Sequence, residues 1–369
     1  MYAFLSHSSA CDALRALGAQ ASDLPRWPSQ PRKLPRYGDC VSTQRAFNEY
    51  AREADLQAYG MGNNLVHLLV PSASSRSRGK SATFHVWSRE LPAHSLYRLS
   101  ETLFASAPEF VLLQMGAQNY KPERLIDDFV KRNQTEREFL KSIGSDESPV
   151  YDDPFAWERK ARLVSMALLV TEFAGYYRLP TALQDTTYRL DPLVTLDSQC
   201  AFLEANASLY GASRAREALK LAFDRSASPM ESALAFMLSL PVEFGGFELP
   251  RPELNKEIPT GEFESMWDGG PFITPDLQWE DYKVAVEYES DEFHGRLGAS
   301  KADVDAMRAN VLTAMGYTVF RATKGTAQSA SGTMRLARQV AQALGCEVAE
   351  PSEIEAIRRQ KLRLMLLDS

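Results

Sequence analysis

The sequence predicts a mixed fold, α/β in its C-terminal part and α+β overall, with an αβββαβ core around a mixed sheet. Three observations support it. After Ser228 helical and strand-like segments alternate in the order α-β-β-β-α-β-α. Residues 1–125 hold short strand-like runs among helices, which predicts a small α+β domain. Residues from about 108 to 225 show helical periodicity, which predicts a helical region between the two.

The length predicts several domains. A chain of 369 residues exceeds the usual size of one domain. We place an α+β domain at 1–125, a helical linking region at 126–227, the αβββαβ domain at 228–345 and an amphipathic tail helix at 346–369. The acidic, turn-rich segment SIGSDESPVYDDP lacks the ligand spacing of a calcium loop and is interpreted as a linker.

Charge and hydropathy exclude some classes of function. The net charge is −7, yet residues 1–125 carry 14 basic against 10 acidic side chains, and residues 228–345 carry 10 against 17. If the chain binds nucleic acid, its contacts with the phosphates are expected to start in the N-terminal part. No apolar run approaches the roughly 20 residues that span a bilayer, and the N-terminus lacks a signal-peptide pattern. We expect a cytoplasmic protein with no membrane partner.

The N-terminal part reads as helices followed by strands. SHSSACDALRALGA begins with hydroxyl side chains before apolar residues at helical spacing, as in a capped helix. A proline-rich connector follows, and TQRAFNEYAREADLQAYG is predicted to be the second helix. NLVHLLVP, SATFHVWS and LYRLSETLFAS are predicted strands. The four cysteines show no metal-ligand or disulfide pattern, so we expect reduced thiols.

A basic loop, SASSRSRGK, joins the first two of these strands and carries Arg76, Arg78 and Lys80. One interpretation is a loop that contacts phosphates. The other is a solvated hairpin tip, since exposed basic loops are common. His85 and His94 lie outside any metal-ligand spacing and are expected to be structural.

The C-terminal part carries the clearest alternation of elements. SPMESALAFMLSL is predicted to be a capped helix with Glu231 in its first turn. GPFITPDLQW, YKVAVEYES and YTVFRAT are strands that follow a first strand near residue 250. The helix after the third strand is expected to end at Gly316 and the last core helix at Gly345. A basic tail helix completes the chain.

Two carboxylates at strand ends suggest a metal site. Asp276 begins the second strand, and Glu287 lies eleven positions later, near the end of the third. In a β-hairpin such positions can face each other across the two strands. Hard oxygen ligands, completed by water and a substrate phosphate, suit Mg²⁺ or Mn²⁺. Such a metal would polarise a phosphodiester and lower the pKa of a bound water.

These motifs resemble the PD-(D/E)xK nuclease superfamily, which includes many restriction endonucleases. The resemblance is strongest to its very-short-patch-repair endonuclease-like branch and covers about residues 228–345. It rests on the ordered motifs SPMES, PDLQW, VAVEYES, His294 and DVDAMRANVLTAMGYTVFR. It implies a restriction-endonuclease-like core and a metal-dependent DNA endonuclease.

The resemblance also implies roles for single residues. Asp276 and Glu287 would be the metal ligands, and Glu231 would complete or orient the site. Arg308, preceded by Asp303, falls where the branch has its arginine. Such an arginine could steady a phosphate, or it could neutralise the acidic cluster.

Glu289 is also a candidate catalytic residue, and it departs from the superfamily pattern. It occupies the position of the superfamily's lysine, and Ser290 stands where the branch has glycine. His294 is the candidate replacement for proton transfer, because imidazole titrates near neutral pH; the alternative is a histidine that caps a loop. Lys324, after the fourth strand, could approach a DNA phosphate or could belong to a strand-ending turn.

The N-terminal part resembles the regulator region related to abortive-infection type IV antitoxins. The resemblance rests on SHSSA, HLLVP, HVWS and LYRLSETLFASAPEFVLLQMG. It implies binding of DNA or of a protein partner, and the tail helix is a second candidate for a protein contact. The main alternative to an endonuclease is therefore a catalytically inactive, nuclease-fold DNA-binding regulator of the antitoxin type.

Overall fold

A computed structural model describes residues 1–62, 65–72, 80–117, 154–289 and 299–367, with the backbone alone at 37, 154–158 and 299–305. Helices alternate with mixed sheets, so the predicted mixed fold class is confirmed. The chain divides into two compact units. The first unit comprises 1–126 and 163–224, and the second comprises 127–162 and 225–369. Residues 163–224 of the predicted linking region thus belong to the first unit, and the tail after 346 belongs to the second.

The first unit contains many short strands and helices. Its strands are β1 Ala3–Leu5, β2 Arg26–Trp27, β3 Arg32–Lys33, β4 Val66–Val70, β5 Ala82–Val86, β6 Glu90–Leu91, β7 Leu96–Arg98, β8 Leu103–Ser106, β9 Tyr177–Arg178 and β10 Thr187–Tyr188. Its helices are α1 His7–Leu17, α2 Gln44–Glu53, α3 Pro108–Gly116, α5 Leu196–Ala205 and α6 Ala212–Leu219; α4, Pro154–Phe173, begins in residues assigned to the second unit.

A six-stranded mixed sheet, in the order β2-β7-β8-β1-β4-β5, organises the first unit. Strands β4 and β5 are parallel, with Val66 opposite Ala82. The hairpin-tip interpretation of the basic loop between them is therefore wrong, because parallel neighbours need a crossover connection. The segment LYRLSETLFAS, predicted as one strand, forms the antiparallel pair β7 and β8.

Helix α1 is fixed to α4 by a buried ion pair within the first unit. Arg15 donates from Nε to Oε1 of Glu172 at 2.8 Å and from Nη2 to Oε2 at 2.7 Å. This two-point geometry satisfies both charges away from solvent. The four cysteines are free thiols, as expected.

The second unit contains the predicted alternation. Its strands are β11 Glu253–Leu254, β12 Ile258–Pro259, β13 Phe272–Ile273, β14 Leu277–Trp279, β15 Val284–Glu289 and β16 Thr318–Thr323. Its helices are α7 Pro229–Ser239, α8 Ala299–Ala314, α9 Lys324–Gln328, α10 Ala330–Ala343 and α11 Glu353–Leu367.

The main sheet of the second unit has the order β11-β14-β15-β16. The pairs β11–β14 and β14–β15 are antiparallel, and β15–β16 is parallel across the α8 crossover. The sequence order α-β-β-β-α-β-α is present, with the small hairpin β12–β13 added before β14 and the short helix α9 added before α10. Gly316 and Gly345 follow α8 and α10 with φ of +85° and +71°, as expected of glycines that end helices.

One face of β15 carries the apolar core of this unit. Ala285 packs with residues of the small hairpin, of α8 and of the turn after α8, namely Ile258, Ile273, Val311, Leu312 and Tyr317. Side chains alternate along a strand, so Glu287 lies on the same face as Ala285, one step nearer the strand end. The core therefore ends where the acidic residues begin.

The tail helix α11 packs within the second unit against α7. Leu362, Met365 and Leu366 are buried, and the guanidinium of Arg359 lies 4.4 Å from the ring centre of Phe247. Among the described residues, no helix combines the length and the apolar character needed to cross a bilayer.

Candidate functional site

The pairing of β14 with β15 brings the two predicted ligands together. Leu277 lies opposite Val286 and Gln278 opposite Ala285. One further step of this register puts Asp276 across from Glu287. The backbone N–H of Tyr288 donates to Oδ2 of Asp276 at 2.6 Å, which fixes the Asp276 carboxylate beside β15. The expectation that these two positions face each other across a hairpin is met.

Glu231 approaches the same place from the start of α7. Ser228 caps the helix by accepting the Glu231 N–H at 3.1 Å, and Glu231 is only 6% exposed. Its Oε2 accepts the backbone N–H of Ala227 at 2.9 Å. The helix cap thus holds the carboxylate inside the unit rather than in solvent.

Glu231 is electrostatically perturbed. Burial, followed by repulsion from the carboxylate of Asp276, raises the pKa of Glu231 to about 8. Its hydrogen bonds act in the opposite direction but are weaker. A buried acid next to a second acid is the kind of cluster found at functional sites and around cations.

Asn255 belongs to this site and was missed by sequence reasoning. Its Nδ2 donates to Oε2 of Glu231 at 2.6 Å, and its backbone N–H donates to the carbonyl of Asp276 at 3.1 Å. It follows β11 with φ of +45°, a conformation that asparagine tolerates better than most residues. An asparagine after a strand signals a turn, but nothing in the sequence connects it to a glutamate 24 positions away.

Arg308 contacts Glu287. The guanidinium of Arg308, on α8, forms an ion pair with Oε2 of Glu287, whose side chain is 8% exposed. Four residues of a helix rise about 6 Å, and two residues of a strand rise about 6.6 Å. Leu312 of α8 belongs to the same core cluster as Ala285 of β15. Arg308, four residues before Leu312, can therefore contact Glu287, two residues after Ala285. Of the two interpretations of Arg308, the contact favours neutralisation of the acidic cluster. The Asp303 side chain lies outside the described residues.

Glu289 also has a cationic partner. Nη1 of Arg321, on β16, lies 2.8 Å from Oε1 of Glu289. The parallel register puts Arg321 opposite Glu287 and Thr323 opposite Glu289, so these side chains share one face. Glu289 is thus held in an ion pair with a neighbouring strand.

Lys324 lies at the same end of the sheet. It is exposed and begins α9, directly after Thr323, the residue opposite Glu289. The Thr323 hydroxyl accepts the backbone N–H of Thr326 at 3.2 Å and caps α9. The strand-ending turn is therefore present, and the Lys324 ammonium is accessible to solvent.

Four predicted residues remain. His294, Arg76 and Arg78 lie outside the described residues. Lys80 is exposed and belongs to the first unit.

The structure therefore brings Glu231, Asp276 and Glu287 together from three elements, with Asn255 and Arg308 as their partners. Comparisons with protein-family models, with curated proteins and with solved structures found no match for this chain.

Proposed function

We propose that the second unit is a metal-dependent DNA endonuclease that hydrolyses phosphodiester bonds, with Asp276 and Glu287 as ligands of Mg²⁺ or Mn²⁺. The observation that carries the proposal is the convergence of three carboxylates, those of Glu231, Asp276 and Glu287. Burying neighbouring carboxylates costs free energy, and the raised pKa of Glu231 reflects that cost. A divalent cation would offset that repulsion.

The donor set fits a hard cation. The cluster offers carboxylate oxygens from β15 and from the residue before β14, and Mg²⁺ and Mn²⁺ prefer such oxygen ligands. When bound, the ion would polarise the scissile phosphate and lower the pKa of a water molecule. The resemblance of residues 228–345 to the very-short-patch-repair endonuclease-like branch supports the same chemistry.

The residues around the ligands have distinct roles in this proposal. Glu231 orients the cluster, and its raised pKa allows its carboxyl to hold or release a proton near neutral pH. Asn255 holds Glu231 through Oε2. Lys324 is exposed, as a side chain that contacts a DNA phosphate must be. His294 stays the proposed proton-transfer residue on sequence grounds.

A second candidate function is a DNA-binding regulator that has the nuclease fold without catalysis. Two contacts favour it. Glu289 stands in place of the superfamily's lysine and pairs with Arg321, which supplies no ammonium for water activation. Arg308 already neutralises Glu287 without a metal. In this case the first unit, with Arg76, Arg78 and Lys80, would contribute to DNA binding.

Plasmid nicking tests the first proposal. Supercoiled DNA is incubated with the full chain and Mg²⁺ or Mn²⁺, alongside Asp276→Asn and Asp281→Asn. Asp281 is an exposed acid in the same hairpin, so its amide variant controls for charge removal. We expect nicking by the unaltered chain and by Asp281→Asn, and a loss of at least ~100-fold in Asp276→Asn.

The second candidate predicts a different outcome. Nicking would be absent in all three proteins, and fluorescence anisotropy would detect DNA binding in EDTA, with an affinity that falls steeply as salt rises. Equal nicking by Asp276→Asn and the unaltered chain would contradict both candidates, because the activity would then come from elsewhere.

A further inference from the structure

Three of the five histidines of the chain meet inside the first unit. His7 begins α1, His67 lies in β4 and His85 lies in β5. His7 and His67 are 6% and 5% exposed, and His85 is half-buried. This cluster belongs to the other unit and shares no residue with the carboxylate cluster.

The strand register accounts for two members of the cluster. Because β4 and β5 are parallel, His67 lies opposite Thr83 and His85 opposite Leu69. The two imidazoles therefore project from the same face of the sheet, one step apart along the strands. Nδ1 of His67 is 2.7 Å from Nε2 of His85.

His7 joins them from the start of α1. Its ring stacks on that of His85 with centroids 3.9 Å apart. One ligand atom from each of the three histidines lies within 4.8 Å of the others. The three rings thus present nitrogen atoms to one small volume.

A buried network fixes the backbone of His7. Its N–H donates to Oε1 of Gln114 at 3.1 Å, and Nε2 of Gln114 donates to the Ser106 hydroxyl at 3.0 Å. That hydroxyl donates to the carbonyl of Leu5 at 3.1 Å. His7 has φ of +52°, an unfavourable conformation that persists only where the surroundings enforce it. The Ser6 hydroxyl lies 3.0 Å from Nδ1 of His7. A histidine that binds a metal through one ring nitrogen commonly has such a hydrogen-bond partner at the other, which orients the ring.

The spacing is close to that of a metal site. Two imidazole nitrogens 2.7 Å apart cannot both present lone pairs, so a proton or a cation must lie between them. Tetrahedral Zn²⁺ holds nitrogens at about 2.0–2.1 Å, which separates neighbouring ligand atoms by roughly 3.3 Å. The His67 and His85 nitrogens would have to move apart by about 0.6 Å to reach that arrangement.

We propose that His7, His67 and His85 bind one divalent transition-metal ion of the zinc type. Imidazole nitrogen is a preferred ligand of Zn²⁺ and Co²⁺, and hard cations such as Mg²⁺ prefer oxygen. A three-histidine set leaves a fourth position for water or a small solute, and His85 is the half-buried member of the set.

Metal titration tests the proposal. The full chain, purified without an affinity tag and stripped with a chelator, is titrated with Zn²⁺ and with Co²⁺. We expect one Zn²⁺ per chain by elemental analysis, and a visible Co²⁺ spectrum of four-coordinate type that Zn²⁺ abolishes. Failure to retain Zn²⁺ after gel filtration would overturn the proposal.

Single substitutions assign the ligands. His7→Asn and His85→Gln are expected to weaken Zn²⁺ binding by at least ~100-fold, since loss of an outer contact alone costs 10–100-fold. His94→Asn is the matched control, because His94 is exposed and has φ of +57°, close to that of His7. If all three variants bind Zn²⁺ as the unaltered chain does, the assignment is wrong.

Two further measurements separate this site from folding defects and from the carboxylate cluster. In the unaltered chain labelled with ¹⁵N-histidine, Zn²⁺ should shift the ring nitrogen signals of three histidines; a spectrum without shifts would contradict ligation. Asp276→Asn should bind Zn²⁺ as the unaltered chain does. Loss of the Zn²⁺ site in that variant would refute the proposed ligand set.

Discussion

At the residue scale, Glu231 sets the electrostatics of the carboxylate cluster. Burial and the neighbouring Asp276 raise its pKa to about 8, while an exposed glutamate titrates near 4.3. Between these two values the unfolded chain has lost the proton and the folded chain still holds it. The contribution of Glu231 to the free energy of unfolding therefore falls as pH rises from about 4.5 to about 8.

Glu231→Gln should remove this pH dependence. The amide keeps a carbonyl oxygen to accept the hydrogen bonds from Ala227 and Asn255, but carries no charge. Without metal, we expect the variant to be more stable than the unaltered chain at pH 8, by a few kcal/mol at most, and nearly equal to it at pH 5. Urea unfolding at both pH values measures the difference. Glu262→Gln, at an exposed position of the same unit, should show none, and a pH-independent effect of Glu231→Gln would contradict the expectation.

Arg308→Gln should separate the two roles considered for this arginine. Arg308 neutralises Glu287, so its removal makes the cluster more negative. We expect calorimetry to show tighter Mn²⁺ binding. Without metal, we expect the free energy of unfolding to fall by an amount on the order of 1–3 kcal/mol. This loss is smaller than that for a fully buried ion pair, because the Arg308 side chain is 26% exposed. Arg335→Gln, an exposed arginine on α10, is the control. Unchanged Mn²⁺ affinity with weaker DNA binding would instead favour a phosphate contact.

Residue types and spacing predicted part of the site and missed the rest. Asp276 and Glu287 were predicted to be neighbours because a hairpin is a local structure whose register follows from strand alternation. Asn255 and the three histidines could not be predicted. His7, His67 and His85 are far apart in the sequence, and their proximity depends on the order of strands in the sheet. The prediction that His85 is structural considers only its spacing along the sequence.

At the element scale, the alternation of side chains along the sequence predicts β4 and β5 as strands. How these two strands pair depends on packing between distant parts of the chain. Val66–Val70 and Ala82–Val86 were both predicted to be strands. Their parallel orientation was not, since a short basic connection suggested a hairpin. The apolar character of β4, buried at every position, was a signal for parallel pairing, because strands covered on both faces lack polar alternation.

The contact between the tail helix and the turn after α7 can be tested at Gly245. This glycine has φ of +90°, and a Cβ there would lie 2.3 Å from the backbone carbonyl oxygen of Arg358. Gly245→Ala should therefore lose more than the 1–3 kcal/mol expected for strain alone. Gly261→Ala measures strain without a clash, because Gly261 has φ of +56° and open space around it. Equal losses of melting temperature in the two variants would contradict a close contact with α11.

At the scale of the whole molecule, each proposed metal site draws its described ligands from a single unit. The histidine cluster lies in the first unit and the carboxylate cluster in the second. The two ligand sets also differ in chemistry, imidazole nitrogen in one and carboxylate oxygen in the other, so different cations should select them. Under these proposals, Zn²⁺ would bind the folded first unit and Mn²⁺ the folded second unit.

Hydrogen exchange of the full chain should therefore show two separate responses. A ligand that binds only the folded state at 100 times its Kd stabilises that state by about 2.7 kcal/mol. We expect Zn²⁺ to slow amide exchange in α1, β4 and β5, and Mn²⁺ to slow it in β14, β15 and the start of α7. His85→Gln should abolish only the Zn²⁺ response, and Asp276→Asn only the Mn²⁺ response. Protection that spreads over both units with either ion would show that the sites are coupled, contrary to two independent metal centres.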